Sequence, residues 1–461
     1  MKKRAVFCRN MLVLVLVFLV QVGFSEKLPK YIFLFIGDGM ALPDVLATES
    51  YLKDDQAMRG IPADQIKGLV MTHLPVKGMA QTFAKNADIT DSAASATALS
   101  TGCKTQNGAL NIDKESGLKF EPMAQYAKKR GLKVGVISSA APNHATPAGF
   151  YAIAKSRNEY PQIALQLATA SLDYVGGPKM LGGPEADHAA TEAAVKNGYT
   201  IVENRQAFDA LKGGAEHVWV RSLMPFLIDS KHEITLADHV QKAIALLKDS
   251  DGFFMMVEGA QIDWASHAND APTMIQELLA FDQAIKIAVD FCNQAPEETL
   301  IVVTADHECG GLSLDEARIS APGMSKTIQA QKGSRGASTG LFKEIEQKKL
   351  TFDDALPLMQ AYFGVKTLTA EESNEIRKIY NKGGESKGDF TYSDSKNITL
   401  AWSRLVSQRA GLKWSSLSHT GAPVPVFAMG AQSHRFAGNS DNALIARYIR
   451  DMMAERFDRA Q

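Results

Sequence analysis

The sequence predicts an α/β fold: a three-layer sandwich with a mostly parallel central sheet, helices on both of its faces, and an inserted, mainly helical cap. Short runs of β-branched and aromatic residues alternate along the chain with longer helical patterns. These runs are apolar throughout, as buried parallel strands are. The 461 residues are 45% hydrophobic and 22% charged, which is typical of a globular protein with a large core.

The central sheet is predicted from the runs that read most clearly as strands. They span residues 31–36, 133–137, 253–257, 300–304 and 424–429. Between them, Thr235 and Asp238 form a capping-box pattern at the start of a helix with one apolar stripe. A second helical pattern runs from Thr273 to Cys292. This β-α-β-α order favours a parallel sheet covered by helices on both faces.

A stretch of about a hundred residues interrupts this order. From Ser313 to Leu412 we find no convincing strand, and helical patterns lie at residues 352–363, 370–380 and 399–410. We therefore predict an α/β domain whose first part spans residues 26–312, a helical cap at 313–412, and completion of the domain by 413–461. Polar, glycine-containing stretches at 332–340 and 382–388 are expected to be exposed loops.

The N-terminus has the pattern of a secretory signal peptide over residues 1–25. Four basic residues precede an unbroken apolar run at residues 11–20, and small residues follow at Gly23 and Ser25. No cysteine stands at the expected cleavage site to accept a lipid, so release is favoured over anchoring, with an uncleaved anchor as the alternative. We therefore expect a periplasmic or secreted protein without stable membrane insertion after cleavage.

Charge and cysteine content narrow the classes of partner. Removing residues 1–25 takes away four positive charges and no negative ones, so the formal net charge changes from -1 to -5. This change disfavours nucleic acid as the principal partner. The remaining cysteines, Cys103, Cys292 and Cys309, can form at most one disulfide.

The segment at residues 91–97 has the pattern of a serine held at a helix start. Ser92 follows Asp91, and only small side chains stand behind it. The unpaired N–H groups and partial positive charge of a helix N-terminus would stabilise an anionic oxygen or a bound phosphate there. The alternative is a plain N-cap that opens an alanine-rich helix.

Acidic and histidine side chains stand where the predicted strands end. They are Asp38, Glu258, Asp306 and His307 after strands, Asp263 and His267 with helical i, i+4 spacing, and His419 before the last strand. Ligands of open α/β sheets bind at the carboxyl ends of strands. Carboxylates clustered there would repel one another unless bound cations neutralised their charge. Mixed aspartate and histidine ligation suits catalytic Zn²⁺, whereas a cluster of oxygen ligands suits Mg²⁺.

With these motifs the chain resembles the alkaline phosphatase family. They are Gly37-Asp38-Gly39-Met40, the Asp91–Thr97 segment, His144-Ala145-Thr146-Pro147, Arg157, the Glu258–Asp263 segment, Ala305-Asp306-His307 and His419-Thr420-Gly421. They occur in the family's order with similar spacing. The resemblance covers residues 31–310 and the chain from His419 onward, and it is loose in the insert.

The resemblance implies a metal-dependent phosphomonoesterase that acts on small phosphate monoesters at alkaline pH, as a homodimer. It implies a first zinc site formed by Asp263, His267 and His419. It implies a second zinc site formed by Asp38, Asp306 and His307, with Ser92 bridging to it. It also implies a third ion, Mg²⁺ in the usual case, held by Asp38, Thr146 and Glu258. Ser92 would attack phosphorus and form a phosphoserine intermediate. Arg157 would bind two phosphate oxygens.

Two positions depart from the best-known bacterial pattern. His144 stands where that pattern has an aspartate, and Trp264 follows Asp263 where it has a lysine. An imidazole can ligate the third ion directly and favours Zn²⁺ or Co²⁺ over Mg²⁺. Trp264 either contributes to substrate binding in place of the missing cation or packs beside the cleft.

Two other functions remain as alternatives. Phosphodiesterases and sulfatases of the same fold share the paired-metal residues, but Ser92 as nucleophile, Arg157 and the third-site Glu258 favour a monoesterase. A non-catalytic exported protein that binds metal or phosphate would keep the scaffold without turnover. Here every nucleophile and ligand position holds a chemically competent residue, which disfavours that class.

Overall fold

The computed structural model describes residues 27–249, 251–315, 322–382 and 392–460. The predicted signal peptide at 1–25 and nearly all of the predicted loop at 382–388 lie outside these ranges. Within the described ranges we find no helix with the length and apolarity that a bilayer crossing requires.

The described strands and helices follow one another in a largely alternating order. The strands β1 to β14 are Tyr31–Gly37, Val76–Gln81, Lys133–Ser138, Tyr174–Gly177, Thr200–Val202, Val218–Arg221, Phe253–Gly259, Thr299–Thr304, Glu308–Cys309, Leu312–Leu314, Leu412–Trp414, His419–Thr420, Val424–Gly430 and Gly438–Asp441. The α-helices α1 to α16 are Leu42–Met58, Ser92–Thr101, Met123–Lys128, Ala145–Ala148, Tyr160–Thr169, Pro184–Lys196, Arg205–Ala210, Leu236–Leu247, Gln261–His267, Ala271–Cys292, Met324–Ala330, Thr339–Gln347, Phe352–Phe363, Ala370–Lys382, Tyr392–Arg409 and Asn442–Ala460.

Ten of these strands form one mixed, mostly parallel sheet. Their order is β14-β2-β13-β8-β1-β7-β3-β4-β6-β5, and only β13 runs antiparallel to its neighbours, β8 and β2. All five predicted strands are present, with ends within two residues of those expected. The predicted α/β class with a mostly parallel sheet is confirmed.

Helices cover both faces of this sheet. On one face, Phe33 and Phe253 pack with ring centroids 5.8 and 6.1 Å from Phe291 of α10. On the other face, Phe254, the next residue of β7, stacks on Phe150 just after α4 at 6.1 Å. Successive residues of a strand point to opposite faces, so these contacts place α10 and α4 in different layers.

The register of the central strands brings their carboxyl ends together. Ile36 of β1 is paired with Glu258 of β7 and with Thr304 of β8, while Ser138 of β3 is paired with the same Glu258. Asp38 and Asp306 each lie two residues beyond the paired positions. The sheet therefore delivers the predicted polar residues to one edge.

The insert is helical and has a hydrophobic cluster of its own. Buried side chains of α12, α13, α14 and α15 form this cluster, and Trp402 stacks on Phe363 at 5.4 Å. The predicted helix at 352–363 matches α13, α14 extends two residues past the predicted 370–380, and α15 begins at Tyr392 rather than at residue 399. The limits of the cap, residues 313–412, stay a prediction.

Two expectations about the insert were wrong in part. Its ends carry short strands, because β10 and β11 pair antiparallel, and three-residue strands are too short to show an alternating pattern. The stretch at 332–340 is only partly exposed. Ser334 and Ser338 are buried, and Asp229 accepts hydrogen bonds from the backbone and hydroxyl of Ser334, which hold the loop against the protein.

The separate core of the insert predicts the effect of removing its largest buried ring. We expect Trp402→Ala to destabilise the protein by about 3–5 kcal/mol, because it leaves a cavity beside Phe363. Thermal unfolding and limited proteolysis would show a lower Tm and earliest cleavage within residues 324–409. Leu358→Ala, at a half-exposed position in α13, is the control and should change stability by under about 0.5 kcal/mol. Equal losses in both variants would contradict this assignment of the core.

Candidate metal centre

The first cluster of possible ligands is formed by Asp263, His267 and His419. Helix α9 begins directly after β7, and its i, i+4 spacing places His267 Nε2 3.4 Å from Asp263 Oδ1. His419 lies in β12, which pairs with β9, so that its Nε2 is 3.7 Å from the same oxygen and 3.2 Å from His267 Nε2. The structure thus brings together the three residues predicted for the first zinc site.

Backbone carbonyl groups orient both imidazoles of this cluster. His267 Nδ1 lies 2.7 Å from the oxygen of Leu417, and His419 Nδ1 lies 3.0 Å from the oxygen of Thr90. A carbonyl only accepts, so each Nδ1 carries a proton, and each Nε2 is the nitrogen directed toward Asp263 that could ligate an ion. Two imidazole nitrogens and one carboxylate group are a suitable donor set for Zn²⁺.

The second cluster lies beside the first and contains Asp38, Asp306, His307 and Ser92. His307 Nε2 is 3.5 Å from Asp38 Oδ1 and 3.2 Å from Asp306 Oδ2. Asp306 is fixed through its other oxygen, which accepts the backbone N–H groups of Gly39 and His307. The carboxylate of Asp263 is close enough to Asp38 and His307 to belong to both clusters.

Gly39 is required by the close packing between the clusters. Its φ of +73° is in the left-handed region, and a Cβ atom there would lie 2.9 Å from Asp263 Oδ1. Any larger residue would therefore displace a ligand of the first cluster.

Ser92 is the first residue of α2 and faces the second cluster. Asp91 caps the helix by accepting the N–H of Ala94, so the Ser92 hydroxyl is not used for capping. The side chain is 2% exposed, and its Oγ lies 3.2 Å from His307 Nε2. The plain N-cap interpretation therefore applies to Asp91, and Ser92 is left with its oxygen in the site.

The third cluster joins Asp38 to Glu258, Thr146 and His144. Ligand atoms of Asp38, His144 and Glu258 lie within 4.8 Å of one another. Thr146 Oγ1 donates to Asp38 Oδ2 at 3.4 Å. These contacts bring together the residues predicted around the third ion.

Arg157 and Trp264 border the third cluster. The Arg157 guanidinium donates to Asp91 Oδ2 and contacts His144 Nε2, both at 3.1 Å. The Trp264 ring meets the His144 ring edge-on at 5.9 Å and is 39% exposed. Arg157 therefore contacts both the residue that precedes Ser92 and a residue of the third cluster, and Trp264 contacts that same residue of the cluster.

The electrostatics of the three clusters fit bound cations. Burial, reinforced by neighbouring carboxylates, raises the pKa of Asp38 well above its usual range. Burial likewise raises the pKa of Asp306 to about 6 and that of Glu258 to about 7. Within these clusters, one buried carboxylate oxygen on each of Asp38, Glu258, Asp263 and Asp306 has no hydrogen-bond partner among the residues that the structure describes. Uncompensated buried carboxylates are costly, and metal ions would neutralise them.

The same pKa shifts predict how metal stabilisation depends on pH. Without metal, the raised pKa values of Asp38 and Glu258 mean that the folded state holds more protons than the unfolded state, so stability falls as pH rises. The lowered pKa values of His144 and His307, each about 4 because of burial, act oppositely, but only up to the unfolded histidine pKa of about 6.5. We expect the difference in Tm between zinc-loaded and chelated protein to widen from about pH 6.5 to 8. A constant or narrowing difference in calorimetry would contradict this.

Two residues near the ligands were missed from the sequence. Cys309 lies within 4.8 Å of the ligand atoms of the first cluster, and Ser138 donates to Glu258 Oε2. Two features of the sequence could have pointed to these residues. Cys309 follows His307 by two residues, and Ser138 stands at the end of a predicted strand. All three described cysteines are free thiols.

This chain resembles known alkaline phosphatases. A family model described as alkaline phosphatase matches residues 29–454. The chain is 30% identical over 443 residues to alkaline phosphatase 3 of Bacillus subtilis, covering 91% of this chain and 88% of the relative. It is 30% identical over 376 residues to the Escherichia coli alkaline phosphatase, covering 67% and 76%.

Solved structures agree with this result. The cold-active alkaline phosphatase of Shewanella sp. has a TM-score of 0.75 at 29% identity, covering 92% of this chain and 99% of that structure. The Thermus thermophilus alkaline phosphatase shares the fold, with a TM-score of 0.73 at 23% identity and coverage of 95% and 97%. All candidate site residues, from Asp38 to His419, lie within the range that the family model matches.

Proposed function

The chain belongs to the alkaline phosphatase family, whose members are metal-dependent and act on phosphate monoesters, and from this premise we propose that it hydrolyses such monoesters through a phosphoserine at Ser92. The observation that carries the proposal is the position of the Ser92 hydroxyl. It lies at the N-terminus of α2, 3.2 Å from His307 of the second cluster of metal ligands.

Each residue has a defined role in this proposal. Ser92 Oγ attacks phosphorus, the bond to the leaving-group oxygen breaks, and water then hydrolyses the phosphoserine. Zn²⁺ at the first two clusters would supply charge stabilisation for the attacking and leaving oxygens. Arg157 donates from two nitrogens of a planar guanidinium, a geometry that matches two oxygens of a phosphoryl group.

The third ion and the surroundings of the site complete the proposal. Asp38, Thr146 and Glu258 would hold Mg²⁺, and the nearby His144 makes Zn²⁺ or Co²⁺ a suitable alternative. Trp264 would border the bound substrate. We further propose export by the signal peptide at residues 1–25 to the periplasm or the medium, activity at alkaline pH, and a homodimeric assembly.

A panel of nitrophenyl esters tests this function. We expect p-nitrophenyl phosphate to be hydrolysed faster than its bis-ester and its sulfate analogue, with activity lost on chelation and restored by Zn²⁺. Faster cleavage of the diester or the sulfate would favour the sister activities of this fold. Bound zinc without turnover would favour a binding protein.

A further inference from the structure

The imidazole of His144 lies between the Arg157 guanidinium and the carboxylates of the third cluster. Arg157 Nη2 is 3.1 Å from His144 Nε2, while the ligand atoms of Asp38 and Glu258 lie within 4.8 Å of that of His144. The ring is buried, and its Nδ1 has no hydrogen-bond partner. His144 therefore faces a cationic side chain and a candidate cation site at the same time.

His144 cannot accept a hydrogen bond from Arg157 and ligate an ion at the same time. A guanidinium only donates, so its contact requires a lone pair on Nε2. A neutral imidazole has one lone pair of this kind, and its other nitrogen, here Nδ1, then carries the proton. If an ion takes a His144 lone pair, the nitrogen left for Arg157 is either ligated or protonated. In both cases the Arg157–His144 hydrogen bond is lost.

We propose that His144 couples the third ion to Arg157, the residue that would bind phosphate. An ion that ligates the imidazole frees Arg157 Nη2 for phosphate. An ion that does not ligate the imidazole leaves Arg157 bound to His144. This inference rests on the proposed function and adds a regulation of the same site. Zn²⁺ and Co²⁺ accept imidazole ligands, whereas Mg²⁺ prefers oxygen and retains water. The released guanidinium stays in the site because Nη1 still donates to Asp91.

The affinity for inorganic phosphate should report this coupling. With Mg²⁺ in the third site, phosphate must replace the Arg157–His144 hydrogen bond, whereas with Co²⁺ the donor is already free. The net value of one such hydrogen bond predicts phosphate binding about five- to tenfold tighter in the Co²⁺ form. Calorimetric titration of protein loaded with two Zn²⁺ and then with Mg²⁺ or Co²⁺ measures this ratio.

Two variants test whether His144 causes the difference in phosphate affinity between the Co²⁺ and Mg²⁺ forms. In His144→Ala, neither ion can act through the imidazole, so we expect the ratio to fall to about one. Trp264→Phe is the matched control, because it changes a ring that touches His144 without removing the lone pair, and it should keep the native ratio. A ratio that persists in His144→Ala would overturn the proposal.

The protonated nitrogen of His144 gives a readout on the native protein that needs no turnover. In ¹⁵N-histidine spectra with two Zn²⁺ bound we expect an unprotonated, unligated Nε2 and a protonated Nδ1. When a third Zn²⁺ binds, we expect the Nε2 signal to move to that of a zinc-ligated or a protonated nitrogen. An unchanged pattern, or equal phosphate affinities in the two native forms, would overturn the coupling even if His144→Ala fails to fold. Absence of monoesterase activity would instead remove the proposed function, and the spectra would still decide the coupling.

Discussion

Replacing Ser92 by alanine is expected to lower the turnover of phosphate monoesters by roughly 10³-fold or more, because the attacking oxygen is removed. Zinc uptake should be largely retained, since Asp38, Asp306 and His307 remain in the second cluster. Steady-state hydrolysis of p-nitrophenyl phosphate, together with zinc analysis of the same preparation, measures both effects.

Ser100→Ala is the matched control for this variant. Ser100 is a buried serine of the same helix, eight residues after Ser92, and its Oγ accepts the N–H of Met123. We expect the Ser100 variant to lose about 1 kcal/mol of stability and to keep its turnover. Near-normal turnover in Ser92→Ala would exclude Ser92 as the nucleophile.

Replacing Asp306 by asparagine is expected to remove zinc from the second cluster and to lower turnover by about 10²-fold or more. The amide oxygen of the asparagine can still accept the N–H groups of Gly39 and His307, as Asp306 Oδ1 does. The amide NH2 group would then take the place of Oδ2, which lies 3.2 Å from His307 Nε2, and an NH2 group cannot ligate zinc. The change therefore tests ligation with little change in packing.

Asp282→Asn is the control for the loss of a buried carboxylate. Asp282 accepts the backbone N–H groups of Val70 and Met71, away from the metal centre. This control should retain zinc and turnover even if its Tm decreases. Zinc content and activity that stay normal in Asp306→Asn would contradict the assignment of the second cluster.

The sequence was informative where local chemistry and sheet geometry coincide. Asp38, Glu258 and Asp306 could be placed at one edge because parallel strands end together, and the register of β1, β7 and β8 bears this out. Ser92 could be placed at a helix start because Asp91 is a good capping residue and small side chains follow it.

Other features could not be read from local patterns. Strand β14, Gly438–Asp441, is polar and lacks apolar alternation, so it gives no strand signal even though it pairs with β2. The contacts of Arg157 with Asp91 and His144 join segments that are separate in the chain. Family resemblance selected Arg157, but only the tertiary structure gives its partners.

The phosphoserine at Ser92 can be tested by mapping the phosphorylated residue in enzyme quenched with acid during turnover of p-nitrophenyl phosphate. We expect one phosphoryl group per chain, carried by Ser92 and absent from Ser92→Ala. A phosphoryl group on another residue, or full turnover with none on the protein at any quench time or pH, would contradict it.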